Sequence, residues 1–266
     1  MKLRSKRQQG GFTLVEMAVV LVIIGVIIGA VMIGRDVQRN AEYTRIKQKF
    51  VDQWVVSYNS YSQRTGAPVG DNQAAPRLMV NGALFNAGVA GGTLSGGDMT
   101  GATSPGAVCN GDLPATAAAS VTRKDLRDTM RRAGITLPPG RSDGFEDRYA
   151  YLDTNGNPQE VQVCFQWNPP ATASGSGNVM VISGLTPDLA RSLDQMIDGK
   201  ADPQTGAFRQ AGITARAATG NANTEGKEWE GNNTQAMGGA GSADTVGANT
   251  DTEQVLTLTA HYKMNQ

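Results

Sequence analysis

The chain of 266 residues has little of what catalytic and nucleic-acid-binding proteins usually rely on. It contains one His and two Cys, too few for a zinc site built from those ligands. Lys+Arg and Asp+Glu are matched at 24 each, so no net basic charge draws a polyanion, and no nucleic-acid partner is expected. Aromatic residues make up 6% and apolar residues 39%, which limits the chain to a modest core. With a single His, the two-histidine zinc-protease motif is excluded, and no P-loop pattern occurs. No catalytic residue is assigned, and an enzyme is not expected. What the chain has in excess is Gly, 33 residues, which implies long loops poor in packing side chains.

These averages conceal an asymmetry. Residues 1–11 hold Lys2, Arg4, Lys6 and Arg7 and no acid. From Met17 to Gly34 the chain reads MAVVLVIIGVIIGAVMIG, eighteen residues without a charge, before Arg35 and Asp36. A run of that length is a candidate membrane-spanning helix. The four leading cations leave the remainder at a net charge of −4. A basic leader stays on the cytoplasmic side and directs the rest of the chain across the membrane.

A secretory signal peptide would need a small-residue cleavage site after the apolar run. The run closes instead on Gly34-Arg35-Asp36-Val37. A helical pattern then continues. Tyr43, Ile46, Phe50, Trp54, Tyr58 and Tyr61 recur at steps of three or four and share one face. The stop signal is Thr65-Gly66-Ala67-Pro68. One helix from about Phe12 to about Arg64 would extend roughly 80 Å at 1.5 Å per residue. Its first half suits lipid and its second half suits a protein surface.

Glu16 is out of place in such a helix. A carboxylate in an apolar spanning segment costs on the order of 2–3 kcal/mol or more, and such residues usually have a partner. One reading keeps Glu16 hydrated at the membrane edge. The other needs a cation at the same depth, and since the run holds no Lys or Arg, that cation comes from another chain.

Gly11-Phe12-Thr13-Leu14-Val15-Glu16, after a short basic leader and before an apolar run, resembles the class III signal of type IV pilins and type II secretion pseudopilins. The resemblance covers residues 1–35 and extends to about residue 64. It implies cleavage between Gly11 and Phe12 by a prepilin peptidase and methylation of the new Phe12 amine. It also implies pairing of Glu16 with the terminal amine of a neighbouring subunit, the missing cation. The expected partners are other pilin or pseudopilin subunits, the peptidase and an inner-membrane assembly platform. Gly25 and Gly29 have the small-xxx-small spacing of helix pairs in membranes.

The chain thus divides into four segments: a leader over 1–11, a membrane and assembly helix over 12–35, its amphipathic continuation over 36–64, and a loop-rich head over 65–266. In the head, Leu78-Met79-Val80 and Ala83-Leu84-Phe85 flank Asn81-Gly82 as a small hairpin would. Thr122-Arg-Lys-Asp125 reads as a capping box before a short helix ending at Gly134. Residues 149–152, 161–167 and 179–183 read as strands, and Thr186-Pro187-Asp188 as a helix start. The stretch from Ala217 to Thr252 reads as loop, and Val255–Tyr262 as a last strand. The fold class is α+β: a long N-terminal helix packed against an antiparallel sheet.

Under this topology Cys109 and Cys164 lie outside the cytoplasm, where a disulfide can persist, the alternative being two separate buried thiols. Asp194, Asp198 and Asp202, near Gly199 and Thr205, suggest a calcium site of hard oxygen ligands, for which secretion pseudopilins offer a precedent, or simply caps in a solvated acidic loop. His261 is expected on the exposed side of the last strand. The expected function is a structural filament subunit, minor or specialised given its large head. It would sit first in the inner membrane with a periplasmic head, and then in an extracellular pilus or a periplasmic pseudopilus. The reading of another class is an uncleaved, membrane-anchored envelope enzyme or binding protein.

Overall fold

The computed structural model describes residues 13–85, 99, 101–113, 120–154, 156–213, 229 and 257–264. The chain divides into two compact units between Glu42 and Tyr43. The first unit is helical. Helix α1, Leu14–Ile46, begins in it, and its residues from Leu14 to Gly34 are exposed on every side. Helical backbone continues to Thr65, and by length and composition this element can cross a membrane.

In the second unit the helix changes character. A π-helical turn, Lys47–Val51, interrupts it before α2, Asp52–Thr65. The wider turn directs two consecutive side chains, Phe50 and Val51, into the core. It also aligns residues five apart, so that Lys47 Nζ reaches Asp52 Oδ2 at 2.9 Å. The helix ends where Gly66 takes φ +74° and donates its N–H to Ser62 O at 2.9 Å.

Among the described residues the sheet has seven strands: β1 Ala107–Val108, β2 Val121–Arg123, β3 Arg148–Leu152, β4 Pro158–Asn168, β5 Gly177–Leu185, β6 Phe208–Gln210 and β7 Leu258–Lys263. Their order is β2-β1-β4-β5-β7-β6, with β3 also on β4. All pairings are antiparallel except β1 with β2. Helix α3, Leu126–Arg132, precedes β3, and α4, Pro187–Asp198, follows β5.

Alternation in β4 builds the core. Val161, Val163, Phe165 and Trp167 face the helix, and Cys164 faces a second, smaller cluster on the other side. Tyr58 stacks on Phe165 with centroids 4.8 Å apart, Trp54 lies 6.1 Å from the same ring, and Phe50 meets Tyr149 at 5.5 Å. Each such burial stabilises by roughly 1.5–3 kcal/mol. Burial pushes the Tyr58 and Tyr151 phenols above their ordinary range.

Tyr151 joins β3, β5 and α4. Its hydroxyl donates to Gly184 O and accepts from Thr186 N, both at 2.9 Å. Gly184 has φ +80°, a Cβ there would run into Glu160 O, and the β5–β7 register shifts beside it. Thr186 then caps α4 by accepting from Leu189 N, with Pro187 in the first turn.

Several expectations are corrected. Residues 78–85 are no hairpin: Asn81 is left-handed and opens a short 3-10 turn, Gly82–Leu84. Side chains take the backbone groups a hairpin would pair. Asp71 accepts from the N–H groups of Arg77 and Leu78, and Asn178 bridges Leu78 O and Val80 N. Thr122 lies in β2, where Arg123 O accepts from Cys109 N, so α3 starts at Leu126 with Asp125 in the capping position. Strand β6 was not expected. Of the last strand, Val255 and Leu256 lie outside the described residues, as do those of 217–252 except Trp229.

Candidate functional site

Gly11 and Phe12 lie outside the described residues. Thr13 and Glu16 lie within them, in the first unit, and form a reciprocal cap. Glu16 Oε2 accepts from Thr13 N at 2.8 Å and from Thr13 Oγ1 at 2.9 Å, while Glu16 N donates to Thr13 Oγ1 at 3.3 Å. This is a capping box, and Thr13-Leu14-Val15-Glu16 spells it in sequence. The arrangement satisfies orphan donors at the start of an apolar helix and holds the carboxylate at its N-terminal end. Thr13, in the sequence only one letter of the signature, is therefore the residue that positions Glu16.

In the second unit Cys109 and Cys164 form a disulfide, with Cα atoms 4.6 Å apart. It ties the end of β1 to β4. A link closing a separation of 55 residues stabilises a fold by about 2–4 kcal/mol in the chain-entropy account.

Asp194, Asp198 and Asp202 lie near one another, but their oxygens have other partners, except Asp194 Oδ1, which is buried without a hydrogen bond. Asp194 Oδ2 accepts from the Trp229 indole at 2.8 Å. Asp198 accepts from the N–H groups of Ala207 and Phe208, at 3.1 and 2.9 Å. Asp202 accepts from Thr205 and pairs with Lys200 at 3.0 Å. Among the described residues no group of three or more His, Cys, Asp or Glu is placed to hold a metal ion. Carboxylates turned to N–H and ammonium donors do not fit a shared calcium ion. Burial, together with the nearby charges of Asp198 and Asp202 and against the Trp229 hydrogen bond, raises the Asp194 pKa to about 8. Trp229 itself was not foreseen. Its ring lies 5.3 Å from Phe208, and its carbonyl accepts from Arg191.

His261 is 5% exposed, not on an open surface. Its Nδ1 lies 2.9 Å from Ser174 Oγ and 3.1 Å from Asn168 Nδ2, and burial lowers its pKa to about 4. The neutral ring thus closes the β4–β5 turn onto β7. A serine and a histidine in contact do not make a nucleophile here, because Ser174 is itself buried. A catalytic spacing is nonetheless present in the sequence: Gly140-Arg141-Ser142-Asp143-Gly144 spells G-x-S-x-G. A nucleophile elbow needs a strand before it and a helix after it. These residues are turns between α3 and β3, and Asp143 is held by Arg127 and Arg131.

The described structure therefore defines a class: an apolar helix with an acid-capped start, continuing into an α+β head. Residues 6–32 match the family described as the prokaryotic N-terminal methylation motif, the prepilin-type motif of type IV pilins and pseudopilins. Neither the curated proteins nor the solved structures contain a match to this chain.

Proposed function

We infer that the chain is a structural subunit of a type IV pilus, minor or specialised, assembled through its N-terminal helix. The observation that carries this reading is the methylation motif at the head of a helix apolar enough to span a membrane. The apolar helix stores the subunit in the inner membrane with its head in the periplasm. Cleavage after Gly11 frees the Phe12 amine for methylation. On assembly, lipid contacts of α1 are exchanged for contacts with neighbouring helices, and Glu16 pairs with a neighbour's Phe12 amine. In the lone chain Thr13 already satisfies part of that carboxylate, so the anionic side chain is not stranded before assembly.

The test is mass spectrometry of the mature N-terminus from sheared surface filaments and from membranes. N-methyl-Phe12 in the filaments is the expected result. The same terminus confined to membranes would favour a secretion pseudopilin or a rare minor pilin. An intact leader in both fractions would reject the prepilin reading.

A further inference from the structure

Asp194 is a buried carboxyl group with one oxygen unaccounted for. It lies on α4 at 0% exposure, against Trp229. Oδ2 accepts from the Trp229 indole at 2.8 Å, while Oδ1 is closed to solvent and has no donor. A carboxylate leaves the lone pairs of that oxygen bare, whereas a carboxylic acid has a proton there to give. An acceptor is at hand. The Asp198 side chain, one helical turn on, is within hydrogen-bond reach of the Asp194 carboxyl. Asp198 is the better anion of the two, because it accepts from Ala207 N at 3.1 Å and from Phe208 N at 2.9 Å. The pair therefore holds one proton between its two carboxyl groups.

The charges around this pair do not replace that proton. Asp202 adds a third acid and is itself paired with Lys200 at 3.0 Å. Arg191, a turn before Asp194, pairs with Asp188 and donates to Trp229 O at 3.3 Å. Arg209 of β6 donates to the carbonyls of Gly206 and Ala173. β7 contributes Tyr262, whose phenol is pushed up by burial and by the charges of Asp52 and Asp198. Asp52, on the long helix, is paired with Lys47. Burial and the two neighbouring acids raise the Asp194 pKa to about 8, so the proton is lost just above neutrality.

Its loss leaves two anions facing each other in a space closed to water, and one wall of that space has to yield. Asp198 is fixed by two backbone N–H groups, and a Cβ on Gly206 would already run into its Oδ2. Leu189, Ala190 and Leu193 hold α4 in the core. Trp229 belongs to no helix or strand. Its polar ties are the bonds with Asp194 and Arg191, and its ring rests 5.3 Å from Phe208. Water reaches the acids by displacing it. We propose that Trp229 is a latch closed by the proton that Asp194 and Asp198 share, seated on α4 while the proton is present and released to solvent once it is gone.

The experiment uses the full chain in detergent with 5-fluorotryptophan at its three tryptophans, Trp54, Trp167 and Trp229. Fluorine NMR follows each signal from about pH 6.5 to about pH 9.5, and Trp229→Phe assigns the Trp229 signal. In the wild type that signal should move to a solvent-exposed position with a midpoint near pH 8, while those of Trp54 and Trp167 stay in place. Asp194→Asn supplies a permanent donor to Asp198 and keeps an acceptor for the indole, so its Trp229 should stay seated across the whole range. A wild-type Trp229 signal that has not moved at the alkaline end would overturn the latch, and this titration stands whether or not the variant folds. So would movement of all three signals together, which is unfolding, or release in Asp194→Asn at the wild-type midpoint.

Discussion

The two halves of the long helix share helical backbone, interrupted only in the second by the π turn, and little else. From Leu14 to Gly34 every side is apolar and every side is exposed in the lone chain. From Tyr43 to Thr65 one stripe is apolar, and it is buried on the sheet. The first half is built for a solvent with no hydrogen bonds to offer, so its only polar device, Thr13 with Glu16, sits at its start. The second half is built for a particular protein surface, and so it needs position-by-position fit. A core substitution in the second half should therefore unfold the head, whereas a methylene lost in the first half should not be felt there.

The largest effect expected from this contrast is at Trp54. Its ring is buried against Phe165 and its indole donates to Glu146 O at 3.3 Å. Trp54→Ala should destabilise the head by about 3–5 kcal/mol. Leu21→Ala, in the exposed apolar run, should leave the head's melting temperature unchanged. Thermal denaturation of the detergent-solubilised chain compares the two directly. Equal losses would mean that the halves are not independent.

The same contrast explains what could be read in advance. The stripe Tyr43–Tyr61 and strands β3, β4 and β5 were legible because periodicity is local. The π turn was not, since pairing Lys47 with Asp52 and burying both Phe50 and Val51 depends on the sheet they meet. Asn81-Gly82 has hairpin letters, and only Asp71 and Asn178, the latter about a hundred residues away in sequence, decide against it. The signature around Glu16 was legible because it is contiguous, while Asp194 with Trp229 joins residues 35 apart. His261 was misplaced for a simpler reason. Alternation correctly set it opposite Ala260 and Tyr262, but that second face of the sheet is also buried, as its neighbours Cys164 and Val181 at 0% exposure show.

The burial of His261 gives an intermediate effect confined to the head. Its ordinary pKa is 6.5, and burial lowers the folded value to about 4. Between those values the unfolded chain binds a proton that the folded chain refuses, so this group's contribution is present above pH 6.5 and lost as pH falls toward 4. The loss is on the order of 3 kcal/mol. Asp194 acts in the opposite sense. Its folded pKa is raised to about 8, so its contribution is full at acid pH and declines as pH rises through 8. The two partly cancel between pH 4 and 6.5. His261→Gln should expose the Asp194 slope alone, which denaturant titrations at several pH values would resolve. Parallel profiles for variant and wild type would show that the histidine is not titrating in this way.

The smallest effect lies at the other end of the molecule. Thr13→Val keeps the shape of the side chain but removes the hydroxyl that donates to Glu16 and accepts from its N–H. Loss of such a cap costs about 1 kcal/mol, on the order of a fivefold change in an equilibrium. The carboxylate would no longer be held toward the start of the helix, where the proposed pairing places a neighbour's amine. Filament incorporation should therefore fall a few-fold, with the head's melting temperature unchanged, because no contact in the second half of the helix has altered. Glu16→Ala removes the charge itself and should reduce incorporation further, whereas Thr13→Ser, which keeps the hydroxyl, should restore it. If Thr13→Val and Thr13→Ser assembled alike, the cap would be a feature of the lone helix with no part in assembly, and Glu16 would act without a positioning residue.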